Sequence, residues 1–190
     1  MEGHIEGGAT AVIRRFTWEG IQTLLGGAAA TYALLAMHVE SVEITDGVVV
    51  VKCWEKNRCW GAIAFGTVIL GDERISARLN DPLFMHEFGH VLQSRISGPL
   101  YLFKYGIPSM MSVHGNGVHM QHPVEQDANQ HAYNHFKSQV GFASWPMQTY
   151  PLPPHGGTLP VRWWEFLPPV FPLAHLWAAY RDRNRVEAAG

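Results

Sequence analysis

From Trp18 onward, apolar residues recur at spacings of three and four: Trp18, Ile21, Leu25, Ala28, Tyr32 and Leu35. That period puts them on one face of an amphipathic helix over about 17–37, weakened by Gly26-Gly27. Residues 1–16 are glycine-rich and read as a loose extension. The period shortens to two over Ser41–Thr45, Asp46-Gly47 marks a turn, and Val48–Val51 is β-branched throughout, which predicts a strand pair or meander. A further apolar run, Ala62–Leu70, ends at Gly71-Asp72 and reads as another strand. Asn80-Asp81-Pro82 then opens a helix, because Asp81 can cap it and Pro82 suits the first helical position. This helix runs through Leu83, His86, His90 and Leu92 and stops near Ser97-Gly98-Pro99. Leu100–Met111 is apolar but carries Gly106 and Pro108, so a broken or short helix is expected. Residues 114–122 form a His/Gly loop, and Pro123 opens a helix to about Ser138, closed by Gly141. Residues 142–160 are rich in Pro and Gly. Residues 161–180 are aromatic and apolar, and Arg181–Arg185 is charged.

This order of elements predicts an α+β chain in three parts. Residues 1–40 are an N-terminal extension with its helix, 41–140 a core domain, and 141–190 a Pro/aromatic-rich tail packing on the core. The 190 residues suffice for one sizeable core, and 47% hydrophobic against 16% charged residues is a globular balance. A net charge of −2 offers no electrostatic footprint for nucleic acid. Arg14-Arg15 ahead of the first apolar run resembles a signal sequence, but Glu2, Glu6, Glu19 and Gln22 interrupt it and the helix is preferred. Trp163, Trp164 and Trp177 with the arginines at 181, 183 and 185 would suit a membrane interface. Pro168, Pro169 and Pro172 make that stretch a poor membrane span, so a tail completing the core is favoured. Cys53 and Cys59 flank a polar turn; a hairpin there would bring them opposite each other, as a disulfide or as two reduced thiols.

Candidate chemistry concentrates in His86-Glu87-Phe88-Gly89-His90. Residues four apart on a helix share a face, so His86 and His90 present two imidazoles to one point, as a tetrahedral zinc site requires. Glu87 sits beside that point without having to bind it, and can take a proton from zinc-activated water. The total of 11 histidines suits a metal protein. A third ligand is expected from the helix after Pro123. Glu125 lies near its start, Asn129 one turn on can orient a ligand histidine, and Asp127 and His131 are alternative ligands. Donors for a developing oxyanion are sought among His119, His122, Tyr101, Tyr105, His131 and Tyr133.

The ordered series His86–Ser94, Gly98-Pro-Leu-Tyr-Leu102, Gly106-Ile-Pro-Ser109, Glu125–Asn129 and Tyr133–Phe136 resembles a group of largely uncharacterised bacterial zincin-like domains. Many of these stand at the ends of Rhs-type or other secreted proteins. The resemblance spans about residues 44–136 and includes the Gly61–Asp72 strand. It implies a small antiparallel or mixed sheet whose edge strand packs against the HExxH helix, with a second ligand-bearing helix beside it. Glu125-x-x-x-Asn129 is similar to the Glu-x-x-x-Asp arrangement of gluzincins, with Asn in place of Asp. Carried over, His86, His90 and Glu125 would bind one Zn2+ per chain and Glu87 would be the catalytic base. The expected function is then a zinc metallopeptidase acting on a peptide or protein, in a bacterial cytoplasm or a secreted or envelope location. A non-catalytic zinc-stabilised binding or effector domain is the alternative.

Overall fold

The structure, a computed structural model, describes residues 13, 15–36, 38–54, 60–113, 118–139 and 141–160. Cys59, His114 and the whole 161–190 stretch lie outside these, and with them the expectations placed on the disulfide and on the aromatic tail. The chain is α+β, built on a small mixed sheet.

The long N-terminal helix α1 is Gly20–Ala36. Strands β1 (His38–Thr45) and β2 (Val48–Trp54) follow as an antiparallel hairpin. Its two-residue turn, Asp46-Gly47, has positive φ at both positions (47° and 71°), the geometry that matches strand twist and selects Asp-Gly. The expected single strand from 62 to 70 is instead a second hairpin, β3 (Ala62–Phe65) and β4 (Val68–Gly71). The reversal occurs at Gly66, at φ 58°, inside what reads as one apolar run. The sheet order is β1-β2-β4-β3, with β2 and β4 parallel. β3 therefore forms one edge.

Alternation along β2 divides the core in two. Val48 and Val50 point to the side of helices α2 (Pro82–Ser97) and α4 (Pro123–Phe136), where they meet Ile69, Phe84, Phe88 and Phe136. Val51 and Cys53 point to the opposite side, against Ala33 of α1. Burial raises the pKa of the Cys53 thiol.

The apolar face expected for α1 is not its packed face. Ile21, Leu25, Tyr32 and Leu35 are exposed, Leu35 at 83%, while Glu19, Gln22, Gly26 and Ala33 are buried. The cause is steric. A side chain at Gly26 would stand 2.5 Å from the Phe65 carbonyl oxygen, so α1 lies on the β3–β4 hairpin through glycine and alanines. The buried polar side chains bond to the HEFGH helix and its C-terminal end: Ser94 Oγ donates to Glu19 Oε2 at 3.1 Å, and Gln22 Nε2 donates to the Gly98 carbonyl at 2.5 Å. Gly26 is thus a contact point, not a weak spot.

α2 starts where Asp81 and Pro82 place it: Asp81 Oδ1 accepts from Leu83 N at 2.9 Å and Phe84 N at 3.4 Å. It ends at Gly98, φ 53°. The chain continues as a 3-10 turn (Gly98–Leu100), a π-helical turn (Leu102–Gly106) and α3 (Ile107–Val113), the broken helix that Gly106 and Pro108 predict. A 3-10 turn, His119–Gln121, leads into α4. Among the described residues no helix is long and apolar enough to cross a membrane.

Candidate metal centre

Helices α2 and α4 cross at Gly89. A methyl group there would collide with the Ala128 carbonyl, so the two backbones touch. Gly89 lies between His86 and His90, and Ala128 lies between Glu125 and Asn129. This contact brings the four polar side chains together inside the protein.

His86 Nε2 lies 3.1 Å and His90 Nε2 3.0 Å from the same atom, Glu125 Oε2. All three residues are buried, and their ligand atoms lie within 4.8 Å of one another. Glu125 Oε1 is buried with no hydrogen-bond partner among the described residues. Buried carboxylate oxygens are normally satisfied, so this orphan, set among three converging ligand atoms, leaves room for a further partner. Two imidazole nitrogens with one carboxylate are the donor set of a divalent transition ion rather than of calcium or magnesium. The residues fit a metal.

The ring orientations are fixed from behind. His86 Nδ1 lies 2.7 Å from Asn129 Oδ1, and Asn129 Nδ2 donates to the Pro151 carbonyl at 2.9 Å. His90 Nδ1 lies 2.8 Å from Gln93 Oε1, and Gln93 Nε2 donates to the Val124 carbonyl at 3.0 Å. Because a carbonyl can only accept, each amide must turn its oxygen to the histidine, and each histidine must carry its proton on Nδ1. Both Nε2 atoms then face Glu125, and when they carry no proton they offer the lone pairs a metal ligand needs. Gln93 Nε2 also reaches Asp127 Oδ2 at 2.6 Å, so Asp127 supports His90 at one remove.

Glu87 is buried beside the pair and accepts a hydrogen bond from Ala64 N on β3. Burial pushes its carboxyl pKa up, against the pull of His86 and His90. Glu125 moves the other way. Burial would raise it, but His90 and His86 hold it well below the usual carboxylate range. Burial opposes charge on His90 as well, yet Glu125 lifts its pKa to about 9. Without a metal, the carboxylate thus draws a proton to the imidazole beside it.

The other expected residues divide. His119 faces the group, with Nε2 3.7 Å from Glu125 Oε2. Tyr101, in the broken helix after α2, reaches across to β3, its hydroxyl donating to the Ala64 carbonyl at 3.4 Å. His131 pairs with Asp127 at 3.6 Å, away from the two histidines. Neither His131 nor Asp127 belongs to the converging group, because Gln93 and the Leu159 amide occupy Asp127 instead. His122 caps α4, accepting from Val124 N at 3.3 Å, and Tyr105 donates to the Leu159 carbonyl at 3.4 Å. Tyr133 packs against Phe142 and Trp145.

Two residues at the site carried no expectation. Gln93 stands three after His90 on the same helix, a spacing that signals contact. Tyr150 packs its ring on His86, centroids 5.1 Å apart, and gives no local sign of doing so. Burial and the charge of Glu87 raise its phenol pKa to about 12. Its segment is held by Trp145 Nε1, which donates to the Tyr150 carbonyl at 2.6 Å, and by Asn129 at the next residue.

No protein-family model, curated protein or solved structure matches this chain.

Proposed function

We propose that the chain is a zinc-dependent hydrolase of the zincin kind that cleaves peptide bonds. The observation that carries this reading is the convergence of His86 and His90 Nε2 on Glu125 Oε2, with Glu125 Oε1 left unpaired and Glu87 buried alongside. His86, His90 and Glu125 would hold the ion. When bound, zinc supplies Lewis acidity, making a water molecule acidic near neutral pH. Glu87 takes the proton from the attacking water and returns it to the leaving amine. A purely structural ion needs ligands but no such extra carboxylate, and so Glu87 favours catalysis. Asn129 and Gln93 hold the ligand rings, while Tyr101 and Tyr150 border the Glu87 side.

A second reading, a zinc-stabilised binding module without turnover, draws support from β3. In the resemblance this edge strand would pair with substrate. Here the Ala64 N–H already bonds Glu87 and its carbonyl accepts from Tyr101. A bound peptide would have to displace at least one of them.

The test combines metal analysis with assays on a peptide library. The hydrolase reading expects about one zinc per chain, lost in His86→Ala. It expects Glu87→Gln to keep the metal while turnover falls by roughly 10²–10⁴. Full activity in Glu87→Gln sinks the mechanism, and bound zinc without any cleavage supports the binding module.

A further inference from the structure

One more imidazole stands against the three converging groups. His119, in the short turn before α4, places Nε2 3.7 Å from Glu125 Oε2. Its Nδ1 lies 2.5 Å from Ser112 Oγ on α3. The Ser112 hydroxyl has one proton, which it donates to the Ser109 carbonyl at 2.7 Å. Toward His119, Ser112 Oγ can therefore only accept. The imidazole proton sits on Nδ1, and Nε2 offers a lone pair to the site.

This repeats the arrangement at His86 and His90. In all three histidines Nδ1–H is anchored on a side-chain oxygen and Nε2 faces the same carboxylate. A histidine stabilising an oxyanion would need a proton on Nε2. The tautomer fixed by Ser112 is the one that binds metals.

His119 differs in position. It is not among the atoms that lie mutually within 4.8 Å. Its side chain is 30% exposed, against 3% for His86 and 7% for His90. It stands on the open side of a buried group, on a turn of three residues.

We propose that His119 is a fourth, displaceable protein ligand that holds the remaining coordination position until substrate or water takes it. The inference rests on the metal-site reading above and adds to it a resting state with four protein ligands. Because Ser112 keeps the lone pair directed inward, Ser112 is the positioning residue for this latch.

Cobalt(II) alone serves as the probe, titrated into the purified full-length metal-free chain. Visible absorption reads the ligand set, and chelator competition reads the affinity. His119→Ala should still take up cobalt, but with shifted bands and an affinity lower by at least ~10-fold. Added imidazole should restore the wild-type spectrum, which separates a lost ligand from a lost fold. His119→Gln, which keeps a polar side chain but supplies no imidazole, should behave alike if the alanine variant folds poorly. Ser112→Ala should shift the bands in the same direction by less. Superimposable spectra and equal affinities for wild type and His119→Ala, with cobalt lost in His86→Ala, overturn the latch and leave the metal site standing. Failure of the wild-type chain to bind cobalt overturns both.

Discussion

Asp72, just after β4, and Glu125, on α4, are both carboxylates withdrawn from water, with side chains 1% and 0% exposed, yet their surroundings are opposite. Asp72 is fully subscribed. Its Oδ2 accepts from Gly61 N at 2.7 Å and Arg74 Nη2 at 2.7 Å, and its Oδ1 accepts from Arg74 N and Nε at 3.0 Å. Glu125 puts one oxygen against two histidines and leaves the other without a partner among the described residues. A buried charge is tolerated when it is paired and hydrogen-bonded. Asp72 meets that condition within the protein and ties the β3–β4 hairpin to the loop after it. Glu125 meets it only in part, among groups that share a preference for a metal ion. Burial alone does not separate these two carboxylates; what separates them is an unfilled oxygen on Glu125 beside two imidazole nitrogens.

The largest effect that can break this contrast lies at the helix crossing. Gly89→Ala forces α2 off α4 and separates His86 and His90 from Glu125. Overpacking of this kind costs about 1–3 kcal/mol. Denaturant unfolding should show that loss, and metal analysis should show the site gone. Gly26→Ala, a less severe but still overpacked contact against Phe65, should also cost stability and keep the metal. If Gly89→Ala retains full metal content, the crossing does not build the site.

How far the sequence foretold this contrast depends on how local each cause is. The HEFGH spacing, the Asp81-Pro82 cap and the Glu125/Asn129 pair act within one or two helical turns, so they are legible as patterns. The α1 face was not legible, because period shows which residues share a face but not which face is backed. Here small residues seat the helix on the sheet and the leucines turn outward. The β3–β4 reversal hid because Gly66-Thr67 interrupts a run that is apolar on both sides. Gln93, Tyr150 and Ser112 join the site through contacts set by tertiary packing, and only Gln93 has a spacing that reveals it.

A smaller effect sharpens the Glu125 side. Asn129 accepts from His86 Nδ1 and donates to the Pro151 carbonyl, the latter beside Tyr150. Asn129→Ala should weaken metal binding by roughly 10–100-fold. Asn129→Asp, which still accepts from His86 but cannot donate to Pro151, should lose less affinity while loosening the Tyr150 segment. Chelator competition reads the first effect, and Tyr150 hydrogen exchange or fluorescence quenching the second. Equal affinity in wild type and Asn129→Ala would remove Asn129 from the site.

The smallest effect belongs to Asp72 and appears only in acid. Burial raises the carboxyl pKa, but Arg74 and the Gly61 and Arg74 amides outweigh it and bring it from 3.8 to about 2. A pKa lowered on folding means that the stabilisation is complete above about 3.8 and disappears as the pH falls through about 2. The shift corresponds to about 2 kcal/mol at most, and water around the Arg74 guanidinium, 53% exposed, reduces it further. Asp72→Asn removes the ion pair and turns one acceptor oxygen into a donor facing Gly61 N–H or Arg74. Its stability relative to wild type should therefore be lowest near neutral pH and recover on acidification across that window. Because Glu125 titrates in both chains, only the difference between the two unfolding curves isolates Asp72. A difference that stays constant from neutral pH down to about 2 would show that Asp72 gains nothing from its charge. Metal content at neutral pH should be the same in both chains, since Asp72 is not part of the converging group.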